Sequence, residues 1–464
     1  MRTIIILLTL NINFLFGQNC WDKVIPAKGT TGGGFIIGLT SEGKLYSWGS
    51  NNYGQLGIGN FINKNTPTQI GLEQDWKTFE VGNANVIAIK NNGTLWTWGS
   101  GESIGHGSLT NKSVPTQVGI ENDWKDVFAG DFNVYAIKNN GTLWATGRNA
   151  YSSLGNGNSI IQYNFIQIGT DSDWAKISGG NVFTLGIKTN GSLWSWGSDS
   201  IGQLGNGSGS FSDVSTPTQI SNLVWFFISA GSDYALATRN NGTLWAWGKN
   251  SNGQLGINST TSQSSPIQVG TDTDWVRISA GSQHSTATKV SGQLFVWGRN
   301  LYSALGLSYD ENALGNVNVP YPLNLTNDWS KINNGSFNST GLKQNGSLYV
   351  WGRGSNGELG NNTNSYAQSI PLLVNCPSTL AIDQIQKSNN ISIYPNPFKD
   401  LLTIQTTDDN LQTIKLIDFQ GRIIRDVKVS GTSYQLNLEN LYPQFYLLEI
   451  SSEKAKQSVK VVKY

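Results

Sequence analysis

Histidine and cysteine are almost missing from this chain: 464 residues contain two of each. The histidines, His106 and His284, lie in different copies of an internal repeat, so no His-x-x-x-His pair is present to hold a zinc ion. There is no close cysteine pair for a metal or redox site, and no Gly-x-Ser-x-Gly elbow for a hydrolase nucleophile. Charged residues are also scarce, at 13% of the chain where about a quarter is usual. The net charge of +1 excludes a nucleic acid or an anionic membrane held by bulk charge. Apart from Ile4–Phe16, no run is long and apolar enough to suggest a membrane span. No catalytic residue, metal or cofactor is therefore expected.

The run from Ile4 to Phe16 is broken by Asn11 and Asn13, follows Arg2 and ends at small Gly17. A cation, a short apolar stretch and a small residue make a secretory signal peptide over residues 1–18. A buried strand is the alternative. Export would place Cys20 and Cys376 in an oxidising compartment. They bracket the repeats, and a Cys20–Cys376 disulfide tying the first copy to the last is expected. Lipid attachment at Cys20 is the rival.

Glycine at 54 and tryptophan at 17 are abundant. Trp-Gly recurs at Trp48, Trp98, Trp196, Trp247, Trp297 and Trp351, with Thr146-Gly147 as a degenerate copy, at spacings of 48 to 54 residues. Seven copies of short strands and Gly-rich turns predict an all-β, seven-bladed propeller over 19–376. An Asp-Trp pair opens most copies, as at Asp75-Trp76, and its recurrence points to turn capping by Asp rather than catalysis. Asn-Gly turns such as Asn92-Gly93 join the second and third strands. These Asn-Gly-Thr/Ser runs match a glycosylation pattern, but their fixed place in a hairpin favours the turn. Asp171-Ser172-Asp173 lacks the remaining ligands of a calcium loop. Thr146 forfeits a buried Trp, so the third blade is expected to be the softest.

The loops after each first strand differ from copy to copy. Asp131, Phe132, Phe183, Asp233, Tyr234, His284 and Phe337 fall there and would form a ring of aromatic and polar contacts on one rim. Semi-buried loop residues are the alternative. After a polar linker at 377–390, residues 391–464 show seven short strands and read as a small β-sandwich.

The recurrent Gly-x-Leu-aromatic-x-Trp-Gly followed by Gly-Gln-Leu-Gly, clearest at Gly191–Gly205 and Gly242–Gly256, resembles the regulator of chromosome condensation family. That resemblance implies a seven-bladed propeller. In the family's eukaryotic exchange factor such loops meet a small GTPase, and Asp233 falls in a slot where the family can carry an acid. Bacterial proteins similar to this propeller bind proteins. Tyr394-Pro395-Asn396-Pro397, the segment Leu441–Ile450 and the basic, apolar tail Lys460-Val461-Val462-Lys463-Tyr464 resemble the type A sorting domain of the type IX secretion system. This implies export by that machinery to the medium or outer surface of a Gram-negative cell. The reading is a non-enzymatic, monomeric binding propeller for an extracellular protein or polysaccharide. Its rivals are a polysaccharide-active enzyme and guanine-nucleotide exchange.

Overall fold

The computed structural model describes residues 20–463, except 30–32, 209–211, 308–315, 324–325, 378–390, 397, 407–410, 419–421, 443–444 and 453–455. The signal-peptide expectation, nearly all of the linker and Pro397 lie outside the described residues. The chain divides into two compact units between Cys376 and Pro377.

The first unit is a seven-bladed propeller. Each blade is a four-stranded antiparallel sheet built from consecutive strands, such as Trp76–Val81, Asn85–Lys90, Leu95–Gly99 and Lys112–Val118 in blade two. Among the described residues no strand is exchanged between the first and last blades. Blade seven meets blade one through side chains and two backbone bonds, Ser336 N to Ala27 O at 3.1 Å and Asn362 N to Asn65 O at 2.9 Å. Trp48 Nε1 donates to Glu358 O at 2.9 Å, Asn333 Nδ2 to Val24 O at 3.0 Å, and Lys331 pairs with Asp22 at 2.7 Å. Cys20 and Cys376 form a disulfide beside this joint, with Cα atoms 6.0 Å apart.

The repeat residues explain the blades. Asn92 Oδ1 accepts from the Thr94 N–H and hydroxyl at 3.1 and 2.7 Å, and Thr94 Oγ1 accepts from Trp96 Nε1 at 2.8 Å. Gly93 supplies the φ of +81° that the turn requires. The Trp of each Trp-Gly is fully buried, and its indole N–H hooks the preceding blade: Trp98 to Gln55 O at 3.0 Å, Trp247 to Gln203 O at 3.0 Å, Trp297 to Gln254 O at 2.8 Å. Burial of each such ring stabilises the ring of blades by ~3 kcal/mol. The last Gly of the preceding loop must stay small, because a Cβ on Gly57 would lie 2.8 Å from Trp98 Nε1.

Blade three departs from this. Thr146 hydrogen-bonds Gln162 O of its own blade at 2.8 Å, and Phe165 fills the space against Gly105 and Trp124. The register places Phe165 where the other six blades carry Pro67, Pro115, Pro217, Pro266, Pro320 and Pro371. Six Trp/Pro pairs are matched by one Thr/Phe pair. Phe165 thus fills the space that the missing indole leaves.

The Asp-Trp reading is also corrected. The Asp side chain forms an ion pair instead of capping a turn. Asp75 meets Lys90 at 3.1 Å, and Lys90 Nζ sits 4.8 Å from the rings of both Trp76 and Trp96. Asp123–Lys138, Asp173–Lys188, Asp274–Lys289 and Asp328–Lys343 repeat the pair at 3.0–3.2 Å. Asp171 is a second partner of Lys188, at 2.8 Å, which accounts for the Asp-Ser-Asp run. Blade five has Val224 in place of Asp, and the buried Nε of Arg239 has no acceptor.

The second unit holds two antiparallel sheets. Ile391–Tyr394, Leu401–Thr406 and Ser433–Asn437 form one, and Ile423–Lys428, Leu411–Ile417, Phe445–Ser452 and Lys456–Val462 the other. They share one apolar core that includes Leu402, Ile404, Ile414, Leu448 and Val461. Lys463 is buried, donating to Leu438 O at 2.6 Å and Glu439 O at 2.9 Å, so it clamps the chain end to the core. Tyr394 stays half exposed with its hydroxyl on Gln405 Oε1 at 2.9 Å. Asn396 follows in the bend after Pro395.

Candidate binding surface on the loop face

One face of the propeller carries the loops between first and second strands and those between third and fourth strands. The first set has a structural duty. Its backbone links blades, through Asn83 N to Asp131 O at 2.9 Å, Asp131 N to Gly180 O at 3.1 Å and Asn181 N to Ser232 O at 3.1 Å. A side chain in this set is free for binding only where the neighbouring blade leaves it exposed.

Four of the seven expected rim residues are buried: Phe183, Tyr234, His284 and Asp131. Phe183, Tyr234 and His284 are 1%, 0% and 1% exposed. Each opens a second strand and turns inward over the Gly that ends its own first strand, Gly180, Gly231 or Gly281. Tyr234 donates to His284 O at 2.6 Å, and His284 Nε2 meets Ser339 Oγ of the next blade at 3.0 Å. Burial lowers the His284 pKa to about 4. These positions vary because each packs against a different neighbour, so they are withdrawn from the rim.

Asp131 lines a cleft, and Phe132, Asp233 and Phe337 stay part-exposed. Asp233 pairs with Lys249 at 3.3 Å. Phe337 stacks edge-on with Tyr302 at 5.3 Å, and Tyr302 with exposed Tyr366 at 5.1 Å. The Arg353 guanidinium lies 5.9 Å from the Tyr302 ring. Phe132 lies under the Arg148 guanidinium at 4.5 Å, and Arg148 Nε meets Glu102 at 2.6 Å. Asp131 and Phe132 share a cleft of about 120 Å³ with Tyr53, Asn83, Glu102 and Arg148.

Asp131 is 5% exposed, and burial raises its carboxyl pKa to about 6 despite the nearby Lys28 charge. Lys28 belongs to blade one yet hydrogen-bonds Gly179 O of blade four and Ala129 O of blade three, at 3.3 and 3.4 Å. Burial lowers the Lys28 pKa, while Glu80 and Asp131 oppose the shift.

Sequence reasoning missed Tyr53, Glu102, Arg148, Tyr302, Arg353 and Tyr366. One signal was present. The residue after each Trp-Gly or its degenerate copy is Ser50, Ser100, Arg148, Ser198, Lys249, Arg299 and Arg353, as uneven as the loops that were read. Tyr302 also holds a φ of +55°, a left-handed conformation that aromatic residues rarely adopt.

The fold and this face define an all-β propeller joined to a secretion module. Regulator of chromosome condensation (RCC1) repeats match residues 42–89, 92–137, 190–238, 241–288 and 345–393, just over half of the chain. The chain belongs to that repeat family, and residues 392–464 match the Secretion system C-terminal sorting domain. It is accordingly exported by the type IX secretion system, to be released or held at the cell surface.

Sequence similarity to curated relatives is local. The ultraviolet-B receptor UVR8 of Arabidopsis thaliana is 37% identical over 67 residues, 14% of this chain and 15% of that protein. The human E3 ubiquitin-protein ligase HERC2 is 35% identical over 75 residues, 15% of this chain and 2% of that protein. Prp20p from Saccharomyces cerevisiae shares the fold, with a TM-score of 0.65 at 20% identity over 81% of this chain and 90% of that one. Human WBSCR16 gives a TM-score of 0.64 at 20% identity over 72% and 94%.

Proposed function

We propose that this protein is a non-enzymatic binding propeller that meets an extracellular polysaccharide or protein through its loop face. The observation carrying this reading is the set of aromatic and cationic side chains there, Tyr53 and Arg148 exposed and Phe132, Tyr302, Phe337 and Arg353 part-exposed, which the repeat does not require. Aromatic rings beside guanidinium groups are typical anchors of binding surfaces. In this reading residues 1–18 serve the first export step, residues 19–376 bind, and residues 391–464 direct secretion. Guanine-nucleotide exchange is disfavoured, because export removes the chain from cytosolic GTPases.

A second reading has one observation in its favour. Two carboxylates, Asp131 and Glu102, line the same cleft, and a pair of carboxylates is what glycoside hydrolysis needs. Against it, Glu102 is engaged by Arg148 at the rim, and the cleft holds a single ring rather than a chain segment. The mature secreted chain should be tested on glycan arrays and by pull-down from cell-surface extracts, beside a Phe132→Ala/Phe337→Ala variant. Specific retention lost in the variant supports binding. Release of reducing ends that requires Asp131 would favour the enzyme instead.

A further inference from the structure

The propeller's other face carries the hairpins between second and third strands and the links from each blade to the next. The residues on either side of each opening Trp lie there. Five links read Gln74-Asp75, Asn122-Asp123, Ser172-Asp173, Thr273-Asp274 and Asn327-Asp328, a polar residue and then the acid of the corner ion pair. Blade five breaks this series with Leu223-Val224. After its Trp225 comes Phe226, where those five blades have Lys77, Lys125, Ala175, Val276 and Ser330. All three side chains are open to solvent: Leu223, Val224 and Phe226 are 48%, 44% and 54% exposed. Strand pairing does not ask for them, because five blades fold with a polar residue and an acid in the first two slots.

The same change leaves a cation without its acid. Arg239 stands in the corner where those blades have Lys, paired in register with Trp225 and 5.9 Å from the Trp245 ring. Its buried Nε has no acceptor, and among the described residues no carboxylate forms an ion pair with it. The corner acids of the adjoining blades are taken, Asp171 and Asp173 by Lys188, Asp272 and Asp274 by Lys289. Arg239 is itself part-exposed, so its side chain is open to approach from solvent. Two more cations flank the Phe226–Phe227 ring pair. Lys176 Nζ donates to Phe226 O at 2.6 Å and lies 4.9 and 4.2 Å from the two rings, and Arg277 lies 5.3 Å from the Phe227 ring. The Asp126 charge acts on Lys176. On this side of blade five, Lys176, Arg239 and Arg277 thus stand against one carboxylate outside a salt bridge.

Exposed apolar side chains gathered beside an unpaired guanidinium mark a surface shaped for a partner. The group this corner lacks is a carboxylate, which a guanidinium takes in a planar two-point bond. Apolar side chains next to that carboxylate would cover Leu223, Val224 and Phe226. We propose that the blade-five corner docks a protein partner through a short segment in which Asp or Glu stands beside apolar residues, its carboxylate serving Arg239 as Asp serves Lys at five other corners. The surface lies on the face opposite the variable loops and stands or falls independently of the loop-face reading.

Fluorescence anisotropy on the full mature chain would test this. The probes are labelled synthetic octapeptides that set Glu or Asp beside Leu, Val or Phe, each with its Gln or Asn counterpart. At least one acidic peptide should bind tenfold or more tighter than its amide counterpart. Val224→Asp supplies the acid from within, so it should weaken that peptide by tenfold or more without lowering the melting temperature. Arg239→Gln and Leu223→Asn/Phe226→Ser should weaken it as far, and melting curves close to the parent's would show that the loss is local. The proposal is overturned if acidic and amide peptides bind alike, or if Val224→Asp keeps the affinity. Should Val224→Asp melt lower than the parent, Leu223→Asn/Phe226→Ser decides, and retained affinity there overturns the proposal equally. Vesicles of three parts phosphatidylcholine to one part phosphatidylglycerol, and sedimentation over a range of protein concentrations, test two other occupants. Vesicle binding or self-association that Val224→Asp abolishes, with no peptide bound, would assign the patch to a lipid surface or a second copy and overturn the peptide.

Discussion

Thr146 and Phe165 show how one residue's role depends on another far along the chain. Phe165 occupies the space that an indole fills elsewhere, so Thr146→Trp alone should overpack blade three and destabilise by ~1–3 kcal/mol. Thr146→Trp with Phe165→Pro should recover most of that loss, because it recreates the pair found in six blades. A double-mutant cycle by urea denaturation measures the coupling; additive effects would refute it. Two buried titratable residues act in opposite directions on the acid response. His284 has a folded pKa near 4, below its unfolded value, so its contribution is present above pH ~6.5 and is lost as pH falls towards 4, by up to ~3 kcal/mol. Asp131 is raised to about 6, so its contribution runs the other way, present at low pH and lost as pH rises through 6. The two partly cancel between pH 4 and 6. Asp131→Asn should steepen the acid loss of stability and His284→Gln should flatten it, as read from denaturation midpoints across that range.

At the scale of the element, the blade corner is a repeated device in which a Lys lies between two aromatic rings and meets the Asp before the first of them. Both partners were legible in the sequence, but the Asp was assigned to a turn, because strand periodicity does not reveal which cation folds back over it. Blade five lacks this Asp. Val224→Asp should give Arg239 a partner and raise stability by ~0.5–1 kcal/mol, the range of a partly exposed ion pair. A lower thermal midpoint in this variant would show that the corner tolerates no acid there. The same limit applies to the rim. Phe183, Tyr234 and His284 read as variable-loop residues, yet each opens a second strand and turns inward over the Gly before its loop.

For the whole molecule, ring closure is the weak point. Each blade completes its own sheet, so the joint of blades seven and one relies on side-chain contacts, the loop backbone bonds of Ser336 and Asn362, and the disulfide, which spans a sequence separation of 356 residues. Loop-closure entropy assigns the bridge on the order of 5 kcal/mol as an upper figure. Cys20→Ser/Cys376→Ser should lower the melting temperature, and amide exchange should rise first in Trp21–Pro26 and Ala367–Val374. Equal exchange in all blades would argue that the apolar joint around Trp21, Trp48, Leu348 and Val374 suffices.

The sequence alone determined the number of blades, the Asn-Gly hairpins, the two units, the pairing of the only cysteines and the sorting module. A fifty-residue period written in tryptophan, glycine and asparagine specifies backbone geometry locally, copy by copy. Tertiary structure alone decided which variable residues face solvent, how Phe165 replaces an absent indole, and that Asp131 is buried near a lysine from two blades away. Exposure at a blade's edge is set by the side chains of the adjoining blade, about fifty residues distant in the chain, and no pattern within one strand carries that information.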